Sequence, residues 1–65
     1  MPRYFFNVHF DHAVRRDREG LELANLDEAV AEADRARAEI MAEDKLTRLQ
    51  LEIVDEEGHV LATVG

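Results

Sequence analysis

The chain has 65 residues, with 15 Asp and Glu against 8 Lys and Arg, a formal net charge of −7 and no cysteine. This length allows one small domain over residues 1–65, and the absence of cysteine excludes a disulfide framework. The negative charge argues against binding to nucleic acid or to an anionic membrane, since both depend on Lys and Arg neutralising fixed negative charge.

The first predicted element is a strand over residues 3–10, which holds all four aromatic residues of the chain. Side chains alternate between the two faces of a strand, so Tyr4 and Phe6 point one way and Phe5 points the other way. A single helix covers only one face of a small sheet. We therefore expect Phe5 to lie on the uncovered face.

A turn at residues 11–12 leads into a short, charged second strand over residues 13–17. Charged side chains suit an edge strand, because they discourage pairing with other chains. Gly20 then interrupts the pattern, and residues 21–23 can add a brief extended piece before the helix.

A helix is the strongest local prediction. Asn25 is a favourable N-cap, and Glu28 stands three residues later, as in a capping box. Apolar residues then recur at steps of three and four, and we expect the helix to end around residues 43–45. The predicted apolar stripe consists of Leu26, Ala29, Val30, Ala33, Ala36 or Arg37, and Ile40.

The last third of the chain predicts a second hairpin. After a loop near Thr47, apolar and polar residues alternate over residues 49–54. Residues 55–58 form a turn that ends in glycine, and a final strand runs over residues 59–64.

The predicted fold class is α+β, with the element order ββαββ in two layers. A four-stranded antiparallel sheet carries the one helix on one face. A strand order of 2-1-3-4 places the aromatic strand in the interior of the sheet and the charged strand at an edge.

Three segments carry a resemblance to a known family. They are the opening Met1–Phe6, Gly20 followed by Leu23 before an alanine-rich helix, and the closing turn and strand at Val54–Leu61. In these segments the chain resembles a family of short bacterial proteins, largely from rhizobia and related alphaproteobacteria, catalogued as domain of unknown function 6894. The family often has an acidic residue where this chain has Asn7. The resemblance implies a small cytoplasmic bacterial protein and transfers no catalytic residue.

Three histidines raise a metal site as the alternative function. His9 and His12 form an H-x-x-H pattern around Asp11, and His59 joins them if the two hairpins meet at that end. Imidazole and carboxylate groups are suitable ligands for zinc or nickel. The alternative hypothesis is therefore a metal- or small-molecule-binding protein that uses His9, His12 and His59, whereas the leading interpretation has no cofactor and treats them as surface histidines.

Nucleophilic catalysis finds little support in the sequence. The chain has no Ser and no Cys, so Thr47 and Thr63 are the only aliphatic hydroxyls. The carboxylates at residues 55–57 are expected to be solvated on a turn, where nothing raises a pKa for acid–base work. We predict no catalytic residue and no enzymatic activity.

The leading hypothesis is a protein-interaction module. A mixed aromatic and aliphatic patch with polar neighbours is typical of a protein–protein contact. We expect a homodimer, or a complex with another protein, through the uncovered sheet face or a sheet edge. The predicted contact residues are Phe5, Asn7, His9, Val54 and Leu61.

The predicted location is the cytoplasm. The opening Met1–Arg3 leads straight into the aromatic strand without the pattern of a secretory signal, and no apolar run is long enough to span a bilayer.

Overall fold

The computed structural model describes residues 1–46 and 48–65, and the loop expected near Thr47 lies outside them in part. The described elements are β1 (Arg3–Phe10), β2 (Ala13–Arg15), β3 (Leu21–Glu22), α1 (Leu26–Asp44), β4 (Gln50–Val54) and β5 (Val60–Val64). The predicted α+β class is confirmed. The sheet has five strands instead of four, because the extended piece after Gly20 pairs as β3.

The aromatic strand β1 lies in the interior of the sheet. All pairings are antiparallel, and the strand order β2-β1-β4-β5 is the predicted one. β4 pairs with residues 5–9 of β1. β2 pairs with residues 8–10 and β3 with residues 3–4, so these two short strands pair with opposite ends of β1.

Asp17 bridges the space between β2 and β3. The Phe6 N–H donates to Asp17 Oδ2 at 3.2 Å, and the Asp17 N–H donates to Asn7 Oδ1 at 3.0 Å. The second strand was expected over residues 13–17 but ends at Arg15, since Asp17 binds β1 through side-chain hydrogen bonds instead of a backbone ladder.

Helix α1 begins and ends as its sequence predicts. Asn25 is the N-cap and its side chain accepts the Glu28 N–H at 3.0 Å, while the Glu28 carboxylate accepts the Ala24 N–H at 3.2 Å. Lys45 closes the last turn with φ 54, and its N–H donates to Met41 O. Within the described residues, no helix is long and apolar enough to cross a membrane.

The core lies between α1 and one face of the sheet. Ala29 and Ala33 are completely buried, because small side chains let the helix approach β4 and β5 closely. Arg37 Nε donates to Leu49 O at 2.7 Å and joins the helix to the start of β4. The core consists of Tyr4, Val8, Ala29, Ala33, Leu49, Leu51 and Ile53, with Phe6 and Phe10 packed against it.

Candidate functional site

The sheet face opposite α1, here called the open face, carries most of the predicted contact residues. Leu51 and Ile53 point into the core, so their neighbours on β4 point to the open face. The register sets three pairs side by side on it: Phe5 with Val54, Asn7 with Glu52 and His9 with Gln50. Leu61 lies on β5, where the register shifts next to Val54.

Phe5 is half-buried, and Gly20 is the reason. A Cβ on Gly20 would lie 2.9 Å from Phe5 Cε2 and from Arg3 Cγ, so the glycine backbone sits directly on both side chains. Gly20 also has φ +73, which glycine adopts at little cost. The chain's own loop therefore covers part of the Phe5 ring.

Asn7 and Val54 are buried, with 7% and 8% of their surface exposed. Asn7 is satisfied by the Asp17 N–H. The Asp17 carboxylate in turn accepts the N–H groups of Phe6, Glu19 and Gly20 at 3.1 to 3.2 Å. Buried polar groups need such partners. The loop around Asp17 thus holds the Asn7 side chain in place at the centre of the open face.

The three histidines do not converge, so the structure does not bring together the three ligands of the alternative metal-site hypothesis. His9 pairs with Gln50 at one end of β4, whereas His59 precedes β5 at the other end. The intervening strand residues separate these positions by roughly 13 Å at about 3.3 Å per residue. The described residues contain no group of three His, Cys, Asp or Glu that could hold a metal ion.

Each of two histidines has a carboxylate neighbour instead. His9 Nε2 lies 3.4 Å from Glu52 Oε1, without the alignment of a hydrogen bond, and His59 Nδ1 lies 3.4 Å from Asp55 Oδ2. His12 is exposed on the turn after β1. His9 Nε2 is buried and has no hydrogen-bond partner among the described residues, whereas His59 is exposed.

Asp55 organises the turn between β4 and β5. Its Oδ1 accepts the N–H groups of Glu57 and His59, each at 2.9 Å, and its O accepts the Gly58 N–H at 3.1 Å. The hydrogen bond from the His59 backbone, aided by the one from Glu57, favours the ionised carboxylate and holds the pKa of Asp55 below its ordinary value of 3.8. A lowered pKa suits a structural role, since a general acid or base at neutral pH requires a raised one.

The outer edge of β5, meaning the edge that faces away from β4, belongs to a strand with exposed apolar side chains. Among the described residues β5 pairs with β4 alone. Val60 and Leu61 are 55% and 40% exposed. Val60–Val64 contains no charged residue, although 35% of the chain is charged.

The sequence pattern placed most of the predicted contact residues on the open face. It did not show that the loop around Asp17 and Gly20 covers part of that face. The sequence predicts Asp17 as the end of a charged strand and Gly20 as an interruption of the pattern. Their pattern did hold a signal, because an Asp followed three residues later by Gly is typical of a turn closed by the Asp side chain. The apolar run of β5 is visible in the sequence as well, and the predicted strand order of 2-1-3-4 places it at an edge of the sheet.

A protein-family model described as "Domain of unknown function (DUF6894)" matches residues 3–65 of the chain. No curated protein and no solved structure matched. The matched residues run from the start of β1 past the end of β5, so every element of the fold lies within the match.

Proposed function

The chain belongs to the family described as domain of unknown function DUF6894, and from that premise we propose that it is a non-enzymatic protein-interaction module that self-associates through the outer edge of β5. The description of the family assigns no activity. The proposal therefore rests on the physical properties of the two sheet edges.

The two edges differ in how they are protected. On one side β2 has three residues, ends in Arg15 and is followed by the Asp17 loop, which already occupies part of the backbone of β1. On the other side β5 presents five residues without charge or proline. Unprotected apolar edge strands pair with further strands, because their outward N–H and C=O groups lack partners in the sheet. This contrast is the observation that carries the proposal.

The sequence of β5 suits pairing with a second copy of itself. An antiparallel pair centred on Ala62 sets Val60 against Val64 and Leu61 against Thr63 on the partner. β-branched and apolar cross-strand pairs of this kind stabilise a ladder. Such a contact is two-fold symmetric, so both copies use the same surface and the assembly closes as a dimer.

The dimer also adds burial that a small domain lacks. A chain of this size buries only about 60% of the surface that its unfolded state exposes. A net charge of −7 on each copy opposes association. We therefore expect a weak dimer, observable at micromolar or higher concentration.

Of the predicted contact residues, Leu61 is the one on this edge strand. Phe5, Asn7, His9 and Val54 lie on β1 and β4, further inside the sheet. An edge contact does not require them, whereas a contact through the open face does.

The test compares one substitution on the two edge strands. Leu61→Lys places a charge on β5, and Val14→Lys places the same charge on β2, where Val14 is 49% exposed. Both variants lower the net negative charge equally. We expect sedimentation velocity to show a dimer for the wild type and for Val14→Lys at high micromolar concentration, and a monomer for Leu61→Lys.

Two results would overturn the proposal. A wild-type protein that stays monomeric at high micromolar concentration removes the dimer, and equal association of both lysine variants removes the β5 edge as its location. Circular dichroism of each variant checks that helix content is unchanged.

A further inference from the structure

A groove runs along the other side of the molecule, on the face that α1 covers. The helix packs over β4 and β5 and leaves the β1–β2 side less covered. The groove there has a volume of about 310 Å³. Its apolar lining comes from Phe6, Val8 and Leu51 on the sheet and from Ala36 and Ile40 on the helix.

The side of the groove opposite the helix is basic. Arg15 and Arg16 line it, and both are exposed. Within the described residues neither guanidinium has an ion-pair or side-chain hydrogen-bond partner; the ion pairs of the fold involve Arg3, Arg35 and two histidines. Asp17 also lines the groove, but its carboxylate is occupied by three backbone N–H groups.

This local charge is opposite in sign to that of the whole molecule. The chain carries −7 in total, yet Arg15 and Arg16 occupy adjacent positions that both line the groove. Arg pairs well with carboxylate, so the free guanidinium groups match a ligand that carries carboxylates. The apolar lining beside them matches an apolar side chain of the same ligand. An anionic membrane or a nucleic acid matches less well, since the rest of the surface repels polyanions.

We propose that this groove binds an acidic segment of a partner protein, in which one apolar side chain enters the groove and the flanking Asp or Glu side chains pair with Arg15 and Arg16. Charge complementarity selects this partner. The groove lies by β2, away from the outer edge of β5, so the inference does not depend on the proposed dimer.

The experiment titrates ¹⁵N-labelled protein with three synthetic peptides and follows the amide resonances. The first peptide has one leucine flanked on both sides by glutamates. The second replaces the leucine with serine, and the third replaces the glutamates with lysines. We expect saturable shifts at groove residues with the first peptide and binding at least tenfold weaker with the other two.

Matched variants then locate the contact. Arg16→Glu and Arg18→Glu make the same charge change two positions apart, but only Arg16 lines the groove. Ala36→Leu fills the groove from the helix, whereas Ala38→Leu adds the same side chain at an exposed position. We expect Arg16→Glu and Ala36→Leu to weaken binding of the first peptide severalfold. The two control variants should leave it within about twofold, because Arg18 and Ala38 do not line the groove and exposed charges outside a contact contribute little to affinity.

The outcomes are distinct from those of the dimer test. Repeating the titration on Leu61→Lys separates the two surfaces, and we expect unchanged peptide binding there. Equal binding of the leucine and serine peptides, equal effects of Arg16→Glu and Arg18→Glu, or an absence of shifts at the groove would each overturn the inference. Tighter binding of a single-stranded oligonucleotide than of the first peptide would overturn it in favour of a polyanion site.

Discussion

At the scale of single residues, two glycines with positive φ meet different surroundings. Gly20 has φ +73 and lies against Phe5 and Arg3, whereas Gly58 has φ +88 and has no atom within 4 Å of the position a Cβ would take. Both positions penalise any side chain through the backbone. Only Gly20 adds a steric requirement, and that contact is what shields the Phe5 ring.

Replacing each glycine by alanine separates these two costs. We expect Gly58→Ala to lower the free energy of unfolding by about 1 to 2 kcal/mol, the cost of a left-handed backbone with a Cβ. We expect Gly20→Ala to cost about 1 to 3 kcal/mol more, because the new methyl group crowds Phe5. Urea unfolding followed by circular dichroism measures both, and equal losses would show that the loop does not lie closely on Phe5.

At the scale of elements, the two hairpins are closed by different means. In the first hairpin, β2 ends at Arg15 and the following loop binds β1 through Asp17. In the second hairpin, the Asp55 side chain accepts two backbone N–H groups of the turn that joins the strands. The helix between them depends on Asn25 and Lys45 at its ends and on alanine against the sheet. The start of the helix, the segment after β2 and the turn before β5 are therefore each held by a side chain that accepts backbone N–H groups.

The Asp55 turn gives a prediction on acid stability. Its folded-state pKa lies below 3.8, so its stabilisation is complete above that pH and is lost as the pH falls through the lowered value. Asp55→Asn keeps an acceptor oxygen but cannot ionise, and we expect it to be less stable than the wild type at neutral pH and to lose less on acidification. Thermal melts between neutral pH and pH 2 measure the difference.

Glu57→Gln is the matched control, since it removes one carboxylate from the same turn at an exposed position. We expect its stability to follow the wild-type dependence on pH. An Asp55→Asn variant that loses stability in acid as steeply as the wild type would contradict a role for the ionised Asp55.

At the scale of the whole molecule, a strongly acidic surface coexists with one uncharged edge and one basic groove. The molecule measures 33 × 20 × 18 Å, so its surface charges lie within about three Debye lengths of either site at 0.1 M salt. The Debye length is about 10 Å at 0.1 M salt, which makes these fields adjustable by ionic strength. The two proposed contacts should therefore respond to salt in opposite directions.

We expect added salt to strengthen self-association, because it screens the repulsion between two copies of charge −7. The same addition should weaken binding of the glutamate and leucine peptide, since there the charges attract. Sedimentation and peptide titration at low and high sodium chloride measure the two effects. Weakening of both by salt would mean that self-association also depends on opposite charges and does not arise from the uncharged edge.

Short sequence patterns predicted the local structure. The cap at Asn25, the three- and four-residue spacing of apolar positions and the alternation in β1 and β4 predicted the helix bounds and the strand faces that the structure has. Such features are encoded within a few residues, because caps and side-chain periods follow from local backbone geometry.

Which surfaces are free depends on how the elements pack together. The Asp17 loop reaches residues ten and eleven positions away, and the antiparallel register sets His9 and His59 at opposite ends of the sheet. The incomplete cover of the helix over β1 leaves the groove beside Arg15. Pairing between distant segments depends on how all the elements pack together, and a pattern in one segment does not contain that information. The covering of Phe5 and the exposure of β5 are therefore properties of the assembled sheet.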